Sequence, residues 1–194
     1  GFQNPHLPFN SPKKYWELYD PQAIGLAANP FVQKNAYSKA LTTFGELRNY
    51  EGIPAKGPLD DDTSKKLRHG YYAAVSFIDA CIGRVLKELE ESGLSENTII
   101  VVWGDHGWNL GDSHMWAKHA PFERAVRSPL IIRVPGVTSG KTSTSLVETI
   151  DVYPTLISVA RPSFKPTAHT LDGRDMTPIL KDPKATVREA ALSF

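Results

Sequence analysis

The 194-residue sequence contains a single cysteine, Cys81, and two methionines. One thiol excludes an intrachain disulfide, a cysteine-rich scaffold and a zinc site built on cysteine clusters. No apolar run approaches the ~18 residues that a membrane-spanning helix requires. An excess of one charge is missing too: 22 Lys and Arg face 21 Asp and Glu, for a formal net charge of +1. That balance excludes a polyanion binder acting through net charge, while leaving room for a local basic patch. The opening residues, Gly1-Phe2-Gln3-Asn4-Pro5-His6, have neither the basic start nor the apolar stretch of a signal peptide. There is no initiator methionine, and the chain is expected to be a portion of a larger protein.

Hydrophobic residues make up 41% and charged residues 22%, the balance of a globular chain long enough to bury a core. The 14 glycines and 15 prolines predict many turns. Residues 1–60 read as loop-rich, punctuated by Pro5, Pro8, Pro12, Pro21, Pro30, Pro54 and Pro58. A short helix is expected within 12–19, with Ser11 as cap and Pro12 in first position.

The strongest helical pattern covers 62–92. Leu67, Tyr71, Ala74, Val75, Ile78, Ile82, Val85, Leu86 and Leu89 fall on one face of a 3.6-residue period. Asp62 or Thr63 is the expected cap, and Gly93 the left-handed stop. Cys81 lies inside this helix and reads as a small buried core residue. The β-branched run 98–103 and the run 129–134 read as strands buried on both faces, the parallel-sheet type. Residues 145–160 form an amphipathic segment broken by Pro154, and 171–180 a turn and short helix. Alternating helices and buried strands imply an α/β layered sheet.

Chemistry concentrates after the first strand. Asp105 and His106 stand between Gly104 and Gly107, where ligands of open α/β sheets gather beyond the strand ends. A carboxylate and an imidazole suit a metal; a turn-capping Asp beside a satisfied His is the plainer alternative. Residues 108–119 hold His114, His119, Lys118, Trp108 and Trp116. Lys118 can bind an oxyanion as a point charge, or be an ordinary solvated lysine. The two Trp rings can stack on a sugar or cover the core. His6, between Pro5 and Pro8, is suited to donate a proton or hydrogen bond.

Together these residues resemble the sulfatase family of the alkaline-phosphatase superfamily, most of all its iduronate-2-sulfatase branch. The resemblance runs over about 1–183. It is carried by Pro5-His6-Leu7-Pro8-Phe9, the helix around 71–79, Asp105-His106-Gly107-Trp108, Gly111 and Trp116-Ala117-Lys118. Glu123, 127–132, Val134-Pro135-Gly136, 151–156 and Leu171-Asp172-Gly173 complete it. The family's Cys/Ser-x-Pro/Ala-x-Arg motif, source of its formylglycine nucleophile, is absent; Cys81 is followed by Ile82-Gly83-Arg84 and does not fit it. The family's two early metal-binding Asp residues are absent as well.

The resemblance implies an alkaline-phosphatase-like fold, with 1–60 as a substrate-side segment and 61–194 as part of the α/β core. It implies hydrolysis of sulfate esters of anionic sugars, a 2-sulfated uronic acid being the specific expectation. Asp105 and His106 match metal ligands for one divalent ion, calcium, whose other ligands and formylglycine would come from an N-terminal half of the same protein. Lys118 matches a sulfate contact, His6 a group near the leaving oxygen, and Trp108 a wall of the substrate pocket; Trp116 offers a second flat face. The chain alone is expected to be inactive, and its parent exported or lysosomal, with no nucleic-acid partner. Two alternatives stay open: a two-zinc phosphatase or phosphodiesterase of the superfamily, which needs further ligands such as His114, His119 or His169, and a non-catalytic anionic-sugar-binding domain.

Overall fold

A computed structural model describes residues 1–42, 44–138, 140–163 and 169–193. The elements in chain order are α1 (Lys13–Trp16), α2 (Asp61–Glu91), β1 (Ile100–Trp103), β2 (Asn109–Leu110), β3 (Trp116–Ala117), α3 (Glu123–Val126), β4 (Leu130–Arg133), α4 (Val152–Ala160) and α5 (Thr177–Lys181). They fall into two compact units. The first comprises Gly1–Ser92 and His106–Arg127, the second Gly93–Asp105 and Ser128–Phe194.

In the first unit, the prolines of the first sixty residues leave α1 and three single 3-10 turns. The helix expected at 12–19 is one turn long. Its N-cap is Pro12 instead of Ser11, and no side chain caps it. The long helix α2 starts after Asp60, whose carboxylate accepts from the Thr63 amide at 2.7 Å and the Thr63 hydroxyl at 2.9 Å. The cap therefore sits just before the expected Asp62 or Thr63, because Asp60 is the acidic residue whose extended backbone (φ −69°, ψ 166°) can turn its side chain back. Gly93 stops the helix at φ +69°, as expected.

Burial along α2 is uneven. Ala73 and Ala74 are fully buried, whereas Val75, Val85 and Leu86 are exposed. The tight half is where α1 lies: Trp16 packs on His69 with ring centroids 4.8 Å apart, and Tyr15 on Phe77 at 5.3 Å. Cys81 is half-buried, not a core residue, since it falls beyond this packed half. The core of the unit is Leu7, Phe9, Phe44, Leu47, Trp108, Trp116 and Ala117.

In the second unit, β1 and β4 pair with each other, but antiparallel: Ile100 faces Arg133 and Trp103 faces Leu130. This corrects the parallel expectation. Trp103 and Ile131 are exposed, so the strands are not buried on both faces either. A continuous apolar run is a tendency of parallel strands and does not fix the partner's direction. Pro154 does not break the following helix. It sits in the first turn of α4, where no intrahelical partner for its missing N–H is needed.

The start of α4 is held by Asp151, which is fully buried. Its carboxylate accepts from the amides of Arg174 at 2.6 Å and Glu148 at 2.8 Å, and from Arg188 Nε at 2.8 Å. Arg188 Nη2 completes a two-pronged contact with it and also meets Glu148 at 3.0 Å. The resulting knot ties the tail after α5 to the head of α4.

Candidate active site

In the first unit, three segments distant in sequence meet over Trp108. The first is the loop of His6. Leu7 and Phe9, both buried, anchor it from one side, and a turn from His6 N–H to the Gln3 carbonyl at 3.1 Å anchors it from the other. His6 Nδ1 lies 2.9 Å from the Leu7 carbonyl. A carbonyl only accepts, so Nδ1 carries the proton and Nε2 is the atom presented to the site.

The second segment brings Lys118. It follows Ala117, which is buried and held at φ +65°, a left-handed conformation uncommon for a residue with a side chain. The fully buried Asn109 pins that conformation by donating from Nδ2 to the Ala117 carbonyl at 2.9 Å, inside the β2–β3 pairing. Ser113 and His114 earlier in the same loop are also left-handed, at φ +54° and +57°. Backbone strain of this kind gathers where side chains must be aimed.

The third segment supplies Glu46, which sequence reading missed. Its Oε1 lies 2.9 Å from His6 Nε2, and its Oε2 lies 3.1 Å from Lys118 Nζ and 3.9 Å from His119 Nε2. Lys118 Nζ also contacts His6 Nε2 directly, so the structure brings together His6 and Lys118, 112 residues apart in sequence. The Nε2 lone pair accepts from the ammonium when His6 is neutral. When the ring carries a second proton, Nε2–H donates to Glu46. Burial alone would push the Glu46 carboxyl up. The Lys118 hydrogen bond and the charges of Lys118, His6 and His119 more than offset this and hold it below the usual glutamate value.

Beneath the cluster lies Trp108. The Lys118 ammonium stands 5.1 Å from the centre of its ring, and His6 meets it edge-on at 5.3 Å. Phe9 and Tyr71 support the ring from behind at 6.0 and 6.5 Å. Trp116 is 2% exposed and offers no face to a ligand; the expectation of a second stacking surface is corrected, because its ring fills the core. His119 is mostly exposed at the edge of the cluster.

Asp105 closes one segment of the second unit and His106 opens a segment of the first. The sharp path here needs Gly107: a Cβ on it would stand 2.1 Å from the Arg124 carbonyl oxygen. His106 Nδ1 lies 2.8 Å from the Gly107 carbonyl. Metal-bound histidines commonly hold their second nitrogen in this way, which leaves Nε2 of His106 as the nitrogen that could bind a metal. Among the described residues, no group of three or more His, Cys, Asp or Glu side chains converges on a metal position, and His114, His119 and His169 add no such group for a two-zinc centre. Among the described residues, no helix is long and apolar enough to cross a membrane.

Comparison with known proteins places the chain. The family model described as Sulfatase matches residues 1–162. Iduronate 2-sulfatase of Mus musculus is 33% identical over 191 residues, covering 82% of this chain and 35% of that protein. Among solved structures, the phosphonate monoester hydrolase of Silicibacter pomeroyi superposes with a TM-score of 0.72 at 32% identity, covering 91% of this chain and 35% of the other. A protein solved with its substrate D-glucosamine-2-N,6-O-disulfate has a TM-score of 0.74 at 22% identity, covering 96% of this chain and 48% of the other, a likeness of fold. The chain spans about a third of the length of the curated relatives it matches. Its fold is that of the alkaline-phosphatase-like sulfatases, and the chain belongs to the sulfatase family.

Proposed function

We propose that this chain is the part of a sulfuric ester hydrolase that grips the sulfate and receives the leaving oxygen. The observation that carries the reading is the contact of Lys118 with His6 above Trp108. A nearly enclosed ammonium is a point charge suited to one oxygen of a sulfate group. With Nδ1–H held by the Leu7 carbonyl, His6 presents Nε2 to the site, and in its doubly protonated form the ring offers the single Nε2–H to the departing alcohol as a hydrogen-bond or proton donor. Trp108 closes the floor against water and keeps both groups on one side.

Asp105 and His106 are proposed as two ligands of one divalent ion, calcium, through carboxylate oxygen and Nε2. A hard cation of this kind takes about six to eight ligands, mostly oxygen, so an N-terminal half would complete the shell. That half would also carry the formylglycine, which supplies the attack on sulfur. By this reading the chain alone does not turn over sulfate esters.

The substrate proposed is a sulfate ester on an anionic sugar, with a 2-sulfated uronic acid unit as the specific candidate. Its support is the 33% identity to a protein named for iduronate 2-sulfate and a basic cluster suited to anions. An exported or lysosomal location goes with such a substrate. The test is a panel of sulfated disaccharides, aryl sulfates and an aryl phosphonate monoester, offered to the full-length, formylglycine-bearing protein. Turnover of 2-sulfated uronate units above the others supports the reading. Turnover of aryl sulfates alone removes the sugar assignment, and preference for the phosphonate removes the sulfatase assignment.

A further inference from the structure

Glu46 faces His6, Lys118 and His119 at 2.9, 3.1 and 3.9 Å. Two of these are the groups proposed to meet the sulfate. The cluster is only partly open to water: side-chain exposure is 27% for Glu46, 17% for Lys118 and 28% for His6. Charges so placed are screened far less than surface charges.

Holding a lysine in place does not require a carboxylate. A backbone carbonyl or a glutamine oxygen accepts from an ammonium as well. A carboxylate adds a fixed negative charge beside an anion position, and so weakens anion binding there. The penalty is unequal among anions, because Coulomb repulsion grows with ligand charge. A sulfate monoester carries one negative charge. A phosphate monoester of the same shape carries about two above neutral pH, and so meets about twice the repulsion.

We propose that Glu46 sets the charge selectivity of this site, admitting monoanionic sulfate esters and turning away dianionic phosphate monoesters. The carboxyl is ionised under working conditions, since Lys118, His6 and His119 together outweigh the effect of its burial. Glu46 touches neither ester in this account. It offsets part of the positive charge of the cluster, so that the pull on an ester suits one negative charge better than two. The inference rests on the sulfatase reading and adds the means of discrimination.

The experiment compares kcat/KM for 4-nitrophenyl sulfate and 4-nitrophenyl phosphate at pH 8, using the full-length protein as wild type, Glu46→Gln and Glu46→Asp. Glu46→Gln keeps the shape and loses the charge. It is expected to raise the phosphate-to-sulfate ratio by about tenfold or more, whatever it does to either rate alone. Glu46→Asp keeps the charge and is expected to hold the ratio within about threefold of wild type. If Glu46 were a structural prop, both substrates would fall in parallel. An unchanged ratio in Glu46→Gln, or an equal rise in Glu46→Asp, overturns the proposal. Where Glu46→Gln does not fold, the ratio is read in Glu46→Ala, which also removes the charge: a rise of about tenfold or more supports the proposal and an unchanged ratio overturns it. A wild-type protein that cleaves neither ester nor any sulfated sugar brings down the sulfatase reading, and this inference with it.

Discussion

Asn109 Nδ2 donates a hydrogen bond to the Ala117 carbonyl at 2.9 Å, and both residues are almost completely buried. Ala117 immediately precedes Lys118 and is held left-handed. The aim of the lysine is thus set by an amide one strand away. Asn109→Ala is expected to cost about 1–3 kcal/mol by leaving a buried carbonyl unpaired. Because it lets Ala117 relax, kcat/KM toward a sulfate ester should fall about tenfold or more. Chemical denaturation and steady-state kinetics on the full-length protein check the two effects separately.

The knot around Asp151 makes a prediction about stability. Removing one partner of a buried ion pair leaves the other charge uncompensated, a loss of about 3–5 kcal/mol. Arg188→Met is expected to destabilise by that amount, read as a shift in the denaturation midpoint. Burial raises the Asp151 carboxyl, but the hydrogen bond from Arg188 and the amides of Arg174 and Glu148 lower it further, and the balance lies below the usual aspartate value. A carboxyl lowered on folding stabilises fully above its unfolded value and loses that contribution as pH falls through the folded one. Wild type should therefore lose stability steeply on acidification, and Arg188→Met should show a weaker loss over the same window.

Gly107 is predicted to tolerate no side chain. A methyl group would meet the backbone of Arg124 at 2.1 Å, and backbone cannot swing aside as a flexible side chain can. Gly107→Ala should unfold or shift the 105–108 segment, lowering the thermal midpoint. A midpoint unchanged within error counts against the close approach.

How far these features could be read in advance follows from their kind. The α2 helix was legible because period and caps agree, and its cap moved to Asp60 because three aspartates in a row compete for one position. His6 and Lys118 were singled out through motif resemblance alone; no local pattern tells that these residues, 112 apart, lie in contact. Glu46 was not. It sits in a proline-punctuated stretch without periodicity, where an acidic residue reads as solvated. Asn109 was hidden likewise, since nothing local marks a buried amide that pairs across a two-residue ladder. The strand direction escaped because β1 and all of β4 but Arg133 are apolar, and Trp116 because a core ring and a stacking ring have the same composition.

The central claim is that Lys118 serves a sulfate ester, and the most direct measurement is kcat/KM for the best sulfated substrate in the full-length Lys118→Ala protein, with thermal denaturation alongside. Placing a cation at developing negative charge is worth about two to three orders of magnitude in rate. The account predicts a loss of at least about 100-fold with the fold retained. A folded Lys118→Ala protein that keeps kcat/KM within about threefold of wild type would contradict it.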